Sequence, residues 1–354
     1  MKFCTTWRVP LLATVNLRIL RASFRDLVDS SYLSKELDNY TRVITRIIDH
    51  VLDNPSLYNP DVLRVFVSRM WLANKYLSGS TSKEVPYELE YSLRKALAEW
   101  TGKKQFIITA AFAHDLDFHF LVVDILEQVK KIIDKFDYAG IDVACIHISF
   151  PRLYKHKPLY NIPLYHELGH FVDKEWQITN ASMLTHPIKA GEDKRTIEHH
   201  RAEFFADLFA ACYVGPACVE FLKTTGPGRR SDTHPSTDER VCVTNDFLNG
   251  TPNYTVQMFN DVMAKRSAPS LHPRFSSPSL TDTFGDIRPY HIGGDDELHG
   301  TFMAGWQYLK SALKRDALPW SEMGEEDVDR IINDLVEKSI RNRAIREQWA
   351  NASP

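Results

Sequence analysis

Nowhere in its 354 residues does the chain carry an apolar run near the ~20 residues that a membrane-spanning helix requires. No helical membrane span is therefore expected. Charge of one sign is equally lacking, because 43 Lys and Arg face 46 Asp and Glu for a formal net charge of −3. That balance gives no electrostatic footprint for nucleic acid or for an anionic membrane surface, and no nucleic-acid partner is expected. Cysteine is scarce. Cys4, Cys145, Cys212, Cys218 and Cys242 are odd in number, scattered and mostly inside apolar patterns. This argues against a disulfide framework and for reduced thiols in a cytoplasmic protein. A leader peptide is not evident either: the apolar patch over 9–15 is interrupted by Arg8, Pro10, Asn16 and Arg18, and no small-residue cleavage site follows.

What is present is an ordinary globular composition, 44% hydrophobic and 25% charged, at a length that suits two domains or one elaborated domain. Hydrophobic periodicity predicts helices over 24–52, 61–77 and 87–100, separated by Asn-Pro and Gly-Ser punctuation. Strand character follows over 104–111 and 142–149, with a helix over 118–136 between them. Beyond Gly250 a helix is expected near 256–265, then an irregular stretch over 267–295, then helices near 298–313 and 325–349. The expected class is α+β and predominantly helical, in three regions: a helical one over 1–103, a core with a small sheet over 104–250, and a loop and helical region over 251–354.

One segment carries more chemical information than the rest, His166-Glu167-Leu168-Gly169-His170. In a helix, residues four apart share a face, so both imidazoles point at a common cation. Glu167 is offset around the helix, where its carboxylate can take a proton from a metal-bound water instead of binding the metal. Asn161 is the expected N-cap, Pro163 falls in the first turn, and Leu164, Tyr165, Leu168, Phe171 and Val172 form the apolar stripe. Asp173, three residues past His170, either orients a ligand or caps its helix.

A second helix, expected over 196–213, places Glu203 and Asp207 on one face of an apolar segment. Two acids are costly to bury there unless a cation or a hydrogen-bond donor receives them. Glu203 is the candidate third zinc ligand. Asp207, one turn on, is placed to accept the second ring N–H of a ligating histidine. His199 and His200 lie within a turn of Glu203 and are alternative third ligands. Further on, Thr233-His234-Pro235 precedes a helix expected to start near Ser236 or Thr237, with Glu239 completing a capping box. His234 and Arg240 are candidates to stabilise an oxyanion.

In this order the three elements, H-E-x-x-H, E-x-x-A-D and H-P-x-x-x-E-R, resemble the gluzincin metallopeptidases. The likeness is closest to the branch of the CAAX prenyl proteases and the heat-shock membrane proteases, although this chain lacks their transmembrane helices. It covers about 146–248. The resemblance implies a zincin-like catalytic core and a Zn2+ held by His166, His170 and Glu203. It also implies Glu167 as general base, Asp207 behind a ligand, and His234 and Arg240 near the transition state. A metzincin continuation is excluded, because Asp173 and Trp176 stand where that pattern needs glycine and histidine. The expected activity is zinc-dependent endopeptidase cleavage of a protein or peptide substrate. The alternatives are a zinc-stabilised, non-catalytic interaction protein and a zinc amidase acting on a non-protein amide. Tyr290, His291 and His299, in or beside the long loop, are further candidates to reach the cleft.

Overall fold

The computed structural model describes residues 8–30, 35–81, 86–101, 106–113, 118–121, 124–139, 144–188, 191–226 and 228–352. In chain order the elements are α1 (Arg8–Val28), α2 (Lys35–Asp53), α3 (Pro60–Gly79), α4 (Tyr87–Thr101), β1 (Phe106–Ala113), β2 (His119–Leu121), α5 (Ile125–Ile132) and β3 (Ala144–Pro151). There follow α6 (Pro163–Trp176), α7 (Ile178–Thr185), α8 (Lys194–Val214), α9 (Pro216–Thr225), α10 (Thr237–Asn249), α11 (Tyr254–Lys265), α12 (Thr281–Gly285), α13 (Asp295–Ala312) and α14 (Glu325–Ala352). The protein is thus predominantly helical with one small sheet, an α+β arrangement. Among the described residues no helix is long and apolar enough to cross a membrane.

The chain divides into two compact units, one of 1–87 with 103–150 and the other of 88–102 with 151–354. In the first, α1, α2 and α3 bury Leu17, Leu20, Phe24, Ile44, Ile47, Ile48, Phe66 and Met70 against one another. The sheet has the order β1-β3-β2, with β2 antiparallel to β3 in the register His119 to Ser149 and Leu121 to His147. Gly79 ends α3 against β1, where a Cβ would stand 2.3 Å from the Ala110 carbonyl oxygen.

Two expected elements are corrected here. The single helix over 24–52 is two helices, α1 ending at Val28 and α2 beginning at Lys35. The helix over 118–136 shrinks to α5, because Asp124 accepts from the N–H groups of Leu126 and Glu127 and so caps it from within. His119–Leu121 pair as β2.

The second unit is built around α6 and α8. On α6, Leu164, Tyr165, Leu168, Phe171 and Val172 are all buried. Gly169 lies against Ala206 of α8, where an added Cβ would meet the Ala206 Cα at 2.7 Å. Two small residues therefore set how closely the two helices approach. From the other side α13 supplies buried His299, whose Nδ1 lies 3.0 Å from the Tyr165 hydroxyl. Asn161 is not the cap of α6. It sits buried in a preceding 3-10 turn, and its side-chain amide donates to the carbonyls of Tyr154 and Lys157.

Candidate metal centre

His166 and His170 project from α6, four residues apart on one face, toward Glu203 on α8. Their Nε2 atoms face each other at 3.1 Å. Each lies 3.4 Å from a different oxygen of the Glu203 carboxylate. One ligand atom from each of the three residues falls within 4.8 Å of the other two. Asp207, one turn along α8 from Glu203, places Oδ1 2.9 Å from the Nδ1 of His166. That contact lets Nδ1–H donate to the acid and leaves the Nε2 lone pair facing the cluster.

Arg240 enters from α10. Its Nε and one terminal nitrogen donate to the two oxygens of Asp207 at 2.6 and 2.7 Å. The other terminal nitrogen stands 3.2 Å from Oε2 of Glu203. The guanidinium of this buried residue thus faces the two acids. Its position follows from the start of α10, where Ser236 and Glu239 form the expected capping box. Arg240 is one residue further along, in the first turn. His234, in the loop before that cap, is the most exposed of the group, and its Nε2 lies 3.5 Å from Oε1 of Glu203.

The electrostatics of this cluster are strongly coupled. Burial works against the His166 charge, but the hydrogen bond to Asp207 and the neighbouring Glu203 carboxylate outweigh it and push the imidazole up to about 10. Burial would raise Glu203 as well, yet His166 and His170 hold it well below the usual carboxylate range. Asp207, buried, is likewise held below that range by Arg240 and then His166. Oε2 of Glu203 is enclosed, yet it accepts no aligned hydrogen bond among the described residues. The Arg240 guanidinium at 3.2 Å is the charge that faces it, and a buried carboxylate oxygen without an aligned donor has room for a further electrophilic partner.

The remaining candidates sit elsewhere. His200 Nε2 lies 2.7 Å from the Ser231 carbonyl oxygen and His199 Nδ1 3.3 Å from that of Asp232, so both tie α8 to the loop that carries His234. Both oxygens of Asp173 are taken by Thr179, through its N–H and its hydroxyl, at the start of α7. Asp173 therefore caps the first turn of the next helix, α7, and not its own helix. His291 pairs with Arg346, and the N–H of Tyr290 donates to Ser339, so both engage α14. His299 lies under the Tyr165 face of α6. Sequence reasoning overlooked Gly169 and Ala206 as determinants of the site, although a glycine at mid-helix, costing about 1 kcal/mol relative to alanine, is itself a sign of close packing.

No protein-family model, no curated protein and no solved structure matches the chain.

Proposed function

We propose that the cluster is a zinc site and that the chain is a zinc-dependent endopeptidase with a zincin-like core of the gluzincin kind. The observation that carries this reading is the spacing of the three donors. Two ligand atoms each ~2.05 Å from a tetrahedral zinc stand about 3.3 Å apart, and the three distances here are 3.1, 3.4 and 3.4 Å. Those to Glu203 are too long for charge-assisted hydrogen bonds, which run about 2.7–2.9 Å. The donor set is two imidazoles and a carboxylate, which leaves a fourth position open and so suits catalysis better than a closed structural site.

Zinc held by His166, His170 and Glu203 supplies a Lewis acid that polarises a carbonyl and renders water acidic near neutral pH. Glu167, beside the ligands on α6, accepts the proton from the attacking water and passes it to the leaving amine. Asp207 fixes His166 in the tautomer that presents Nε2. Arg240 has its donors directed at Asp207 and Glu203, so we assign it to holding those acids and not to the oxyanion. His234, on the exposed side of Glu203, remains the candidate donor to the substrate carbonyl. The substrate is a protein or peptide. A reducing compartment, the cytoplasm, suits the buried free thiols of Cys145, Cys212 and Cys218.

Elemental analysis of purified protein should find about one zinc per chain, lost in His166→Ala, His170→Ala and Glu203→Ala. Glu167→Gln should keep the zinc and lose turnover. Comparison of newly formed protein termini in cells expressing wild type or Glu167→Gln would then identify substrates. A Glu203→Ala chain with full zinc content, or identical termini in the two cell populations, would sink the proposal.

A further inference from the structure

The same helix that carries Glu203 also walls a separate cavity of about 220 Å³. Its sides include Ile197, Phe204 and Met258, an apolar set, with His200 and Arg201 from α8, the acid Glu192, and an Arg230–Glu239 ion pair at its margin. Arg201 is the unusual member. It is 91% buried, yet its guanidinium bonds only to neutral groups, the Ser182 hydroxyl and the His186 carbonyl oxygen. Among the described residues it forms no ion pair. Burial works against its charge, and Tyr254 and Glu192 favour that charge only through longer-range interaction.

The two bonds to neutral groups serve the C-terminal end of α7, where a cation is welcome. They use two of the five N–H donors that a guanidinium carries. A role in capping does not call for a buried charge in contact with no carboxylate beside an open cavity, because such a charge is costly until an anion meets it directly, and Glu192 on the same wall acts on it only from a distance. The planar fork of arginine matches a carboxylate, and the apolar walls match the hydrocarbon that accompanies one in a peptide.

We infer that this cavity is a binding subsite for a carboxylate of a peptide ligand, anchored by Arg201. The ligand class rests on the peptidase reading, whereas the anion site rests on the cavity. The carboxylate has two possible sources, the free C-terminus of the peptide or an Asp or Glu side chain. The subsite lies on α8, the helix that also carries Glu203, and His200, on its wall, holds the loop that carries His234.

The test measures binding, by calorimetry, to the zinc-loaded Glu167→Gln chain. Three N-acetylated apolar pentapeptides ending in leucine serve as probes: the free acid, the C-terminal amide, and the amide with one internal glutamate. A carboxylate form should bind about 10–100-fold more tightly than the plain amide, and which of the two does so identifies the source. Arg201→Gln should cut that preference to below about threefold while zinc content is unchanged. Ile197→Trp, which fills the cavity and leaves Arg201 in place, should do the same if Arg201→Gln folds poorly. A merely structural Arg201 would leave the acid-over-amide preference intact in both variants, and that result, or equal binding of all three peptides, overturns the subsite. Cleavage of all three peptides by wild type without preference likewise removes the subsite and leaves the peptidase. An Arg201-dependent preference with no cleavage of any peptide does the reverse.

Discussion

Replacing Arg240 by methionine tests whether the guanidinium holds the acids of the site in place. The change keeps much of the side-chain volume but removes the two bonds to Asp207, at 2.6 and 2.7 Å, and the contact with Glu203 at 3.2 Å. Asp207 is 3% exposed, so water does not replace what is lost. Removing one partner of a buried pair costs about 3–5 kcal/mol. His166 still donates to Asp207, which puts the expected loss near the lower end, about 3 kcal/mol. Urea unfolding of the metal-free protein, followed by tryptophan fluorescence, reads it well, because Trp100, Trp176, Trp306, Trp320 and Trp349 all belong to the unit that holds the site. The midpoint should fall with the slope unchanged. Combining Arg240→Met with Asp207→Asn removes both charges and should recover at least about half of the loss, a coupling that a double-mutant cycle isolates. A cost below ~1 kcal/mol, typical of an exposed ion pair, would refute the argument, as would a loss unaffected by Asp207→Asn.

Three further outcomes follow from the same geometry. Gly169→Ala should lower zinc affinity by at least about tenfold, because the new Cβ pushes α6 from α8 and separates the histidines from Glu203. Stability should fall by only ~0–2 kcal/mol, the overpacking cost being offset by better helix propensity; unchanged affinity by calorimetry would show that the approach of the two helices does not set the site. Zinc binding near pH 8 should release about one proton from His166, since its imidazole, raised to about 10 in the metal-free protein, must be neutral to bind; titration in buffers of different ionisation enthalpy counts it, and a count near zero would contradict the assignment. In metal-free protein His166 should stabilise the fold fully below its unfolded value of ~6.5 and lose that contribution as pH rises to about 10. Asp207 has the opposite sign, stabilising above ~3.9 and losing its contribution as pH falls through its lowered folded value. A pH series of unfolding midpoints in Asp207→Asn and His166→Gln backgrounds checks both.

Local rules make the helices of the site legible in the sequence itself. The 3.6-residue period put His166 and His170 on one face of α6 and Glu203 and Asp207 on one face of α8, and the Ser236–Glu239 box marked the start of α10. The less legible features depend on distant contacts. Asn161 has the composition of a cap, but two carbonyls of the preceding turns claim its amide. The pattern over 118–136 reads as one helix until Phe120 and Leu121 pair with Ile148 and His147 across the sheet. Arg240 reads from the sequence as an oxyanion stabiliser, but helix phase does not say where a long guanidinium ends, and here it ends on both acids. The intimacy of Gly169 and Ala206 is a property of two helices that no single-segment periodicity contains.

Stability alone gives no reason for the cluster. A buried group of ion pairs exchanged for well-packed apolar side chains is often neutral or stabilising by about 1–4 kcal/mol, and α6 and α8 already meet through apolar residues on either side of it. Leucines at 166, 170, 203 and 207 would suit such an interface. What the polar residues add is directionality: Asp207 and Arg240 fix each other, Asp207 fixes the Nδ1 of His166, and two imidazole nitrogens and a carboxylate are left converging on one point. With a divalent cation there, the ion and Arg240 together balance the three carboxylates of Glu167, Glu203 and Asp207, with both histidines neutral. Without it, one proton on His166 leaves the group short by one positive charge. A divalent cation held there would account at once for the donor spacing and for the charge of the cluster.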